Sequence, residues 1–245
     1  MKIIGSYVSP YVRKVLACIA LKELDYEIDP ITPFFGGEAF ERLSPLRRIP
    51  VLVDGDLVLS DSTVICAWLD EAYEGHPLHP ATPAERARAR WLEEYADTRL
   101  GDLTIWGLFY QKFVHPAVWG EPGDAARIES TLSEGLPAAL DYLEGEAPAA
   151  GYLFGEIGLA DISIATFFRN ASYAGFEIDA ARWPRTAGLV ARTLAHDCIA
   201  RFLPFGQAQL GTNPAGRRQA LLAAGAPLTT ETVGTREPRK GVMTL

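Results

Sequence analysis

Apolar positions in the first 74 residues switch repeatedly between two periods. Ile3-Ile4 is a short apolar run that stops at Gly5-Ser6. From Pro10 the period lengthens. Val12, Val15, Leu16 and Ile19 fall at i, i+3, i+4 and i+7, one buried helical face, and predict a helix over residues 10–23. Ser9 stands at the expected N-cap and Pro10 at the first helical position, where its missing N–H does no harm. Tyr26-Glu27-Ile28-Asp29 reads as a second strand that ends near Pro30. Val51-Leu52-Val53 and Leu57-Val58-Leu59 flank Asp54-Gly55-Asp56, a hairpin signal. Asp61 or Ser62 then caps a helix with Val64, Ile65, Trp68 and Leu69 on one face. The order β-α-β, hairpin, α predicts a small mixed sheet with helices against it.

Residues 75–83 hold three prolines and no helical period, and read as a linker. Beyond it the pattern is helical: residues 84–115 (with a kink expected near Gly101 or Gly107), 124–145, 161–175, then further helices from Pro184 and from Ala200. From Gly211 to Leu245 the chain turns rich in Gly, Pro, Thr and Arg, a tail that drapes over the body or stays mobile. The expected organisation is an α/β domain over 1–74, a linker over 75–83, an all-helical domain over 84–210 and a tail over 211–245.

Charge narrows the partners. The formal net charge of −8 over 245 residues gives no basic stripe for nucleic acid or for an anionic membrane surface. The longest apolar run, Val15 to Leu21, is too short to span a bilayer, and no secretory leader is expected. Cys18, Cys66 and Cys198 are odd in number and sit in apolar helical patterns, which suits buried thiols in the cytoplasm.

Three segments carry candidate chemistry. Ser9 places a hydroxyl at a helix start, beside free N–H groups and the positive end of the helix dipole, where an anion such as a thiolate can be held. Taken alone, the same residue is an ordinary cap. In Ser44-Pro45-Leu46-Arg47-Arg48-Ile49-Pro50-Val51, Pro50 marks a strand start, and an X-Pro bond can be cis. Ile49 would then offer its backbone N–H and C=O to an extended ligand. The third segment, Ser60-Asp61-Ser62-Thr63, offers a carboxylate, a hydroxyl and helix-start N–H groups that suit both ends of an amino acid. His76 and His79 lack a third ligand, so no metal is expected. Trp106, Phe109, Tyr110 and Phe113 form an aromatic stripe at i, i+3, i+4 and i+7, a pattern that is usually core.

Together, the segments Ser9-Pro10-Tyr11-Val12-Arg13, Ser44 to Val53 and Asp61-Ser62-Thr63-Val64-Ile65 resemble the cytosolic glutathione S-transferases, and more narrowly a Ser-type bacterial member. Phe154 to Ile162 resembles that family's helix-capping box, and the likeness covers roughly residues 1–210. It implies a thioredoxin-like N-terminal domain with a four-stranded mixed sheet, followed by an all-α domain. It implies that Ser9 donates to the glutathione sulfur and that Ile49 pairs with the cysteinyl unit ahead of cis Pro50. Arg48 would meet the glycyl carboxylate, and Asp61 with Ser62 the γ-glutamyl end. Tyr7, Trp106, Phe109, Tyr110 and Phe113 would line the acceptor pocket, and Tyr7 is the rival hydroxyl to Ser9. Glutathione would be the co-substrate, without a metal. A small apolar electrophile would be the second substrate, and the protein a cytoplasmic homodimer without nucleic-acid or membrane partners. Reductive cleavage or dehalogenation, or a non-catalytic binding role, are the alternatives on the same fold. Two departures stand out. Gly158 replaces the hydroxyl residue of the capping box, and Phe34-Phe35-Gly36-Gly37 offers no second basic residue for the glycyl end, a place that Arg42 could fill.

Overall fold

The computed structural model describes residues 1–213 and 215–239. Its contacts divide the chain into two compact units: Met1–His76 with the chain from Asp197 onward, and Pro77–His196.

In the first unit the strands are β1 (Lys2–Ile4), β2 (Glu27–Asp29), β3 (Val51–Asp54) and β4 (Leu57–Ser60), in the spatial order β2-β1-β3-β4. β1 runs parallel to β2 and antiparallel to β3, and β3 is antiparallel to β4, so the sheet is mixed as expected. The helices of this unit are α1 (Pro10–Leu21), α2 (Glu38–Leu43) and α3 (Ser62–Ala72). Ile3, Ile4, Val15, Leu16, Ile28, Leu52 and Ile65 form its fully buried core. The pattern did not foresee α2, which is short and keeps only Phe40 buried.

Two helical faces differ from expectation. In α3 the buried set is Ser62, Ile65, Cys66 and Leu69, while Val64 is 50% exposed. The face starts on a polar residue, two positions before the apolar pattern places it. α1 is buried almost all round, Arg13 and Lys14 included, because it packs against α3 and also against α10 (Asp197–Ala200).

The second unit contains α4 (Pro83–Tyr95), α5 (His115–Trp119), α6 (Ala125–Ser130), α7 (Leu136–Glu146), α8 (Leu159–Tyr173) and α9 (Pro184–Ala195). α8 is buried along nearly its whole length and packs on α4 and α9. Between α4 and α5 the helix continues without a break, wound more widely with i→i+5 bonding over Ala96–Val114. Gly107 permits a close approach: a Cβ there would lie 2.3 Å from Thr131 Oγ1. The expected linker is also not free, since Leu78 is fully buried and its carbonyl accepts the Leu159 N–H at 2.9 Å.

The helical unit ends before residue 210. α10, α11 (Leu203–Leu210) and α12 (Arg217–Ala223) belong to the sheet-bearing unit. The physical reason is aromatic packing, since Phe202 stacks on the buried Tyr7 and Phe205 packs tilted against it. The expected 211–245 tail is draped where described, and residues 214 and 240–245 lie outside the described residues.

Candidate active site

Strand register brings the three sequence segments to one end of the sheet. Ile4 is opposite Val51, Val51 is opposite Ser60, and on the other side Ile4 is opposite Asp29. The turn after β1, the Ile49-Pro50 step before β3, the Asp61 corner after β4 and the loop after β2 therefore leave the same edge. The Ile49-Pro50 peptide bond is cis. A side chain at Gly5 would clash with Val12, its Cβ standing 2.5 Å from Cγ2, and would also touch Ile49. Such close packing at a φ of +159° is suited to glycine.

The Ser6–Ser9 turn is pinned from several directions. Ser9 N–H donates to Ser6 O at 2.9 Å, and Val8 N–H to Ser6 Oγ at 3.2 Å. The buried Arg13 guanidinium donates to the carbonyls of Tyr7 (3.0 Å) and Val8 (2.9 Å). Tyr7 N–H donates to Gln209 Oε1 at 3.1 Å. Ser9 itself is half-buried and caps α1 by accepting Val12 N–H at a long 3.4 Å. It acts there as acceptor, so its own O–H proton is not engaged in the cap.

Tyr7, the rival hydroxyl, is fully buried, and its OH lies 3.0 Å from Tyr26 OH. Burial, with Tyr26 beside it, drives the Tyr7 phenol far above its ordinary range. Its expected place in an acceptor pocket is corrected accordingly: it is core, held by Phe202 and Phe205.

At the Asp61 corner, Oδ1 accepts N–H bonds from Thr63 (2.9 Å) and Val64 (3.1 Å). Asp61 holds φ at +134°, a backbone conformation that non-glycine residues rarely adopt and that concentrates at functional corners. Ser62 behind it is buried. Lys14 Nζ, itself buried, donates to Thr63 Oγ1 at 3.3 Å and ties the starts of α1 and α3 together.

Ser44 knots the basic loop: its Oγ accepts Arg48 N–H at 2.9 Å and donates to Arg48 O at 2.8 Å. Arg48 is exposed, whereas Arg47 is half-buried with Nε 3.1 Å from Glu41 Oε1. Sequence reasoning missed Arg13, Lys14, Ser44 and Gln209. A serine before Pro45 was a legible turn signal for Ser44. The other three are polar residues whose burial no local pattern announces.

The aromatic stripe lies in the second unit. Winding at more than four residues per turn separates it into two pairs, because positions four apart stay adjacent while positions three apart diverge. Trp106 and Tyr110 (centroids 5.2 Å apart) are half-buried, and Phe109 and Phe113 (5.7 Å) stack. Phe109 is buried beside Tyr173 and belongs to the core, while Phe113 is exposed. The capping box at α8 works in half. Gly158 N–H donates to Asp161 Oδ2 at 3.0 Å, and Leu153 N–H donates to Oδ1 at 2.9 Å. Among the described residues no cluster of metal-ligating side chains occurs, and no helix is long and apolar enough to cross a membrane.

Comparison with known proteins bears on these features. Residues 3–77 match the family model described as glutathione S-transferase, N-terminal domain. "Glutathione S-transferase 3" of Zea mays is 35% identical over 171 residues, covering 67% of this chain and 75% of the relative. A glutathione S-transferase structure from Rhodospirillum rubrum superposes with a TM-score of 0.74 at 25% identity, covering 82% and 91% of the two chains. One from Methylobacterium radiotolerans, solved in complex with glutathione sulfonate, gives a TM-score of 0.68 at 25% identity, covering 81% and 92%.

Proposed function

Because the chain belongs to the glutathione S-transferase family, we propose that it transfers the glutathione thiolate to an electrophilic carbon of a small apolar acceptor. The observation that carries the reading is the Asp29–Ile4–Val51–Ser60 row, which gathers the Ser9 turn, Ile49-Pro50 and Asp61-Ser62 at one end of the sheet. A tripeptide lying across that end would set its sulfur at Ser9. Its cysteinyl backbone would meet Ile49, its γ-glutamyl ammonium Asp61, and its α-carboxylate Ser62 with the α3 N–H groups. Arg48 would face the glycyl carboxylate.

Chemically, the site needs to hold a thiolate. A free thiol near pKa ~8.5 is mostly protonated at neutral pH, and lowering it by ~2 units takes roughly 2.7 kcal/mol of preferential thiolate stabilisation. A hydroxyl donating to the anion and the N-terminus of α1 together supply interactions of that order. The sulfur lone pair then forms the C–S bond while the leaving group departs with its electrons. The thiol proton has already passed to solvent, and no covalent bond to the protein forms.

The serine-type reading is supported by the half-exposed Ser9 O–H and by the buried engagement of Tyr7 with Tyr26. Similarity extends to a plant relative and to bacterial structures alike, so the serine-type reading is kept without a bacterial assignment. A cytoplasmic homodimer belongs to the same reading, and three buried thiols outside any disulfide fit a reducing compartment. Conjugation of 1-chloro-2,4-dinitrobenzene to glutathione by the wild type, lost on Ser9→Ala, tests the proposal. Glutathione binding without turnover of any electrophile would count against it.

A further inference from the structure

The loop Phe34-Phe35-Gly36-Gly37, which lacks a basic side chain, is the seat of the chain's own C-terminal segment. That segment first continues the sheet edge: Ile28 N–H donates to Pro227 O at 2.8 Å, and Thr229 N–H to Ile28 O at 3.1 Å. Val233 N–H then reaches the buried Asp29 Oδ2 at 2.8 Å. On the loop itself, Gly37 N–H donates to Val233 O (3.1 Å), Thr235 N–H to Phe35 O (2.7 Å) and Arg239 N–H to Phe34 O (2.8 Å). Gly36 bridges Gly234 in antiparallel fashion. The glycines allow the approach, since a Cβ on Gly37 would stand 2.9 Å from Thr235 Cγ2 and one on Gly234 2.9 Å from Ile31 Cγ2.

This strap delivers one cation to the loop. Arg239 Nη1 lies 2.9 Å from Glu41 Oε1, the same oxygen that Arg47 Nε approaches at 3.1 Å. Arg48 is the next residue along. Two guanidinium groups therefore share one carboxylate, a local positive excess in a chain whose net charge is −8. The Arg239 side chain is 42% exposed. Glu41 occupies one of its nitrogens, and a guanidinium fork has further donors to offer a second carboxylate.

We infer that Arg239 is a ligand-binding residue supplied by the C-terminal strap, meeting the glycyl carboxylate of glutathione beside Arg48. The inference rests on the glutathione reading above. The strap's backbone bonds fix Arg239 when the protein folds, so little ordering remains to be done on binding.

Calorimetric titration of the full chain with glutathione and with its glycyl ethyl ester, which lacks that negative charge, tests the assignment. The wild type is expected to prefer glutathione by roughly tenfold, equivalent to about 1.4 kcal/mol. Arg239→Ala and Arg239→Gln should weaken glutathione by about that factor, leave the ester unchanged, and preserve the unfolding midpoint in urea. An unchanged glutathione Kd overturns the inference. Equal losses for both ligands also overturn it, reducing the strap to a brace. A wild type that binds neither ligand sinks the glutathione reading itself, a result distinct from either failure.

Discussion

Gln209 Oε1 accepts the backbone N–H of Tyr7 at 3.1 Å, across 202 positions of sequence. Gln209 is 2% exposed, so this bond lies in the interior and water is not at hand to replace it. The turn that presents Ser9 is thus held on one side by Arg13, the fourth residue of α1, and on the other by a helix near the end of the chain. The geometry of the proposed nucleophile site is in part a property of the C-terminal segment.

Replacing Gln209 with Ala strands the Tyr7 N–H in a buried setting. Stability is expected to fall by about 1–3 kcal/mol, and turnover with it. Urea unfolding checks the first and a model aryl halide assay the second. A variant as stable as the wild type would mean that the N–H finds another partner.

Ser9→Ala separates chemistry from folding. Its cap bond is 3.4 Å long, so the stability loss should sit near the low end for a cap, about 0.5 kcal/mol. A hydrogen bond to a charged group is stronger, about 1.5–3 kcal/mol, which is a loss of roughly 10- to 150-fold in kcat/KM. Thiolate absorbance of bound glutathione, followed against pH, should show the thiol pKa rising in the variant.

At the Asp61 corner, Asn keeps an oxygen for the Thr63 and Val64 N–H groups while losing the charge. Asp61→Asn is expected to leave stability within about 0.5 kcal/mol and to raise KM for glutathione. Asp61→Ala should lose both the cap and the ligand contact. Equal glutathione affinity in wild type and Asn variant would remove Asp61 from the binding site.

Asp161 gives a pH signature. Burial pushes its carboxyl up to about 6, against the Leu153 and Gly158 N–H bonds that favour the ionised form. The unfolded value is about 3.9. Between those limits the folded protein binds the proton more tightly, so its stability declines as pH rises through the window and levels off above it. Unfolding midpoints measured from pH 4 to pH 8 should show this slope, and Asp161→Asn should flatten it. A slope of the opposite sign would mean that the two N–H bonds outweigh burial.

The thiols give a chemical test of the interior. Cys18, Cys66 and Cys198 are all buried and outside any disulfide. Burial, reinforced by Asp197, pushes the Cys198 thiol up to about 12. Folded protein at pH 8 should therefore react with Ellman's reagent only slowly, whereas denatured protein should release all three thiols at once.

Local chemistry made much of this protein readable in advance. Ser9 before Pro10, Asp54-Gly55 between two apolar runs, and Asp61 ahead of a helical period each fix the backbone within a few residues, so strands, hairpin and helix starts follow from neighbours alone. The four-stranded sheet and the residues at its end could be anticipated for that reason. The sequence was silent on what burial does to polar residues. Arg13 and Lys14 sit at positions that an isolated amphipathic helix would turn to solvent, and they are buried because α3 and α10 both pack on α1. The role of Gly107 was hidden likewise, because it is set by Thr131, which fills the space beside it. Gln209 on the Ser9 turn and Arg239 on the Phe34 loop join segments about two hundred positions apart. No periodicity carries such pairings. They are decided by which surfaces remain to be covered once the sheet and its helices have formed.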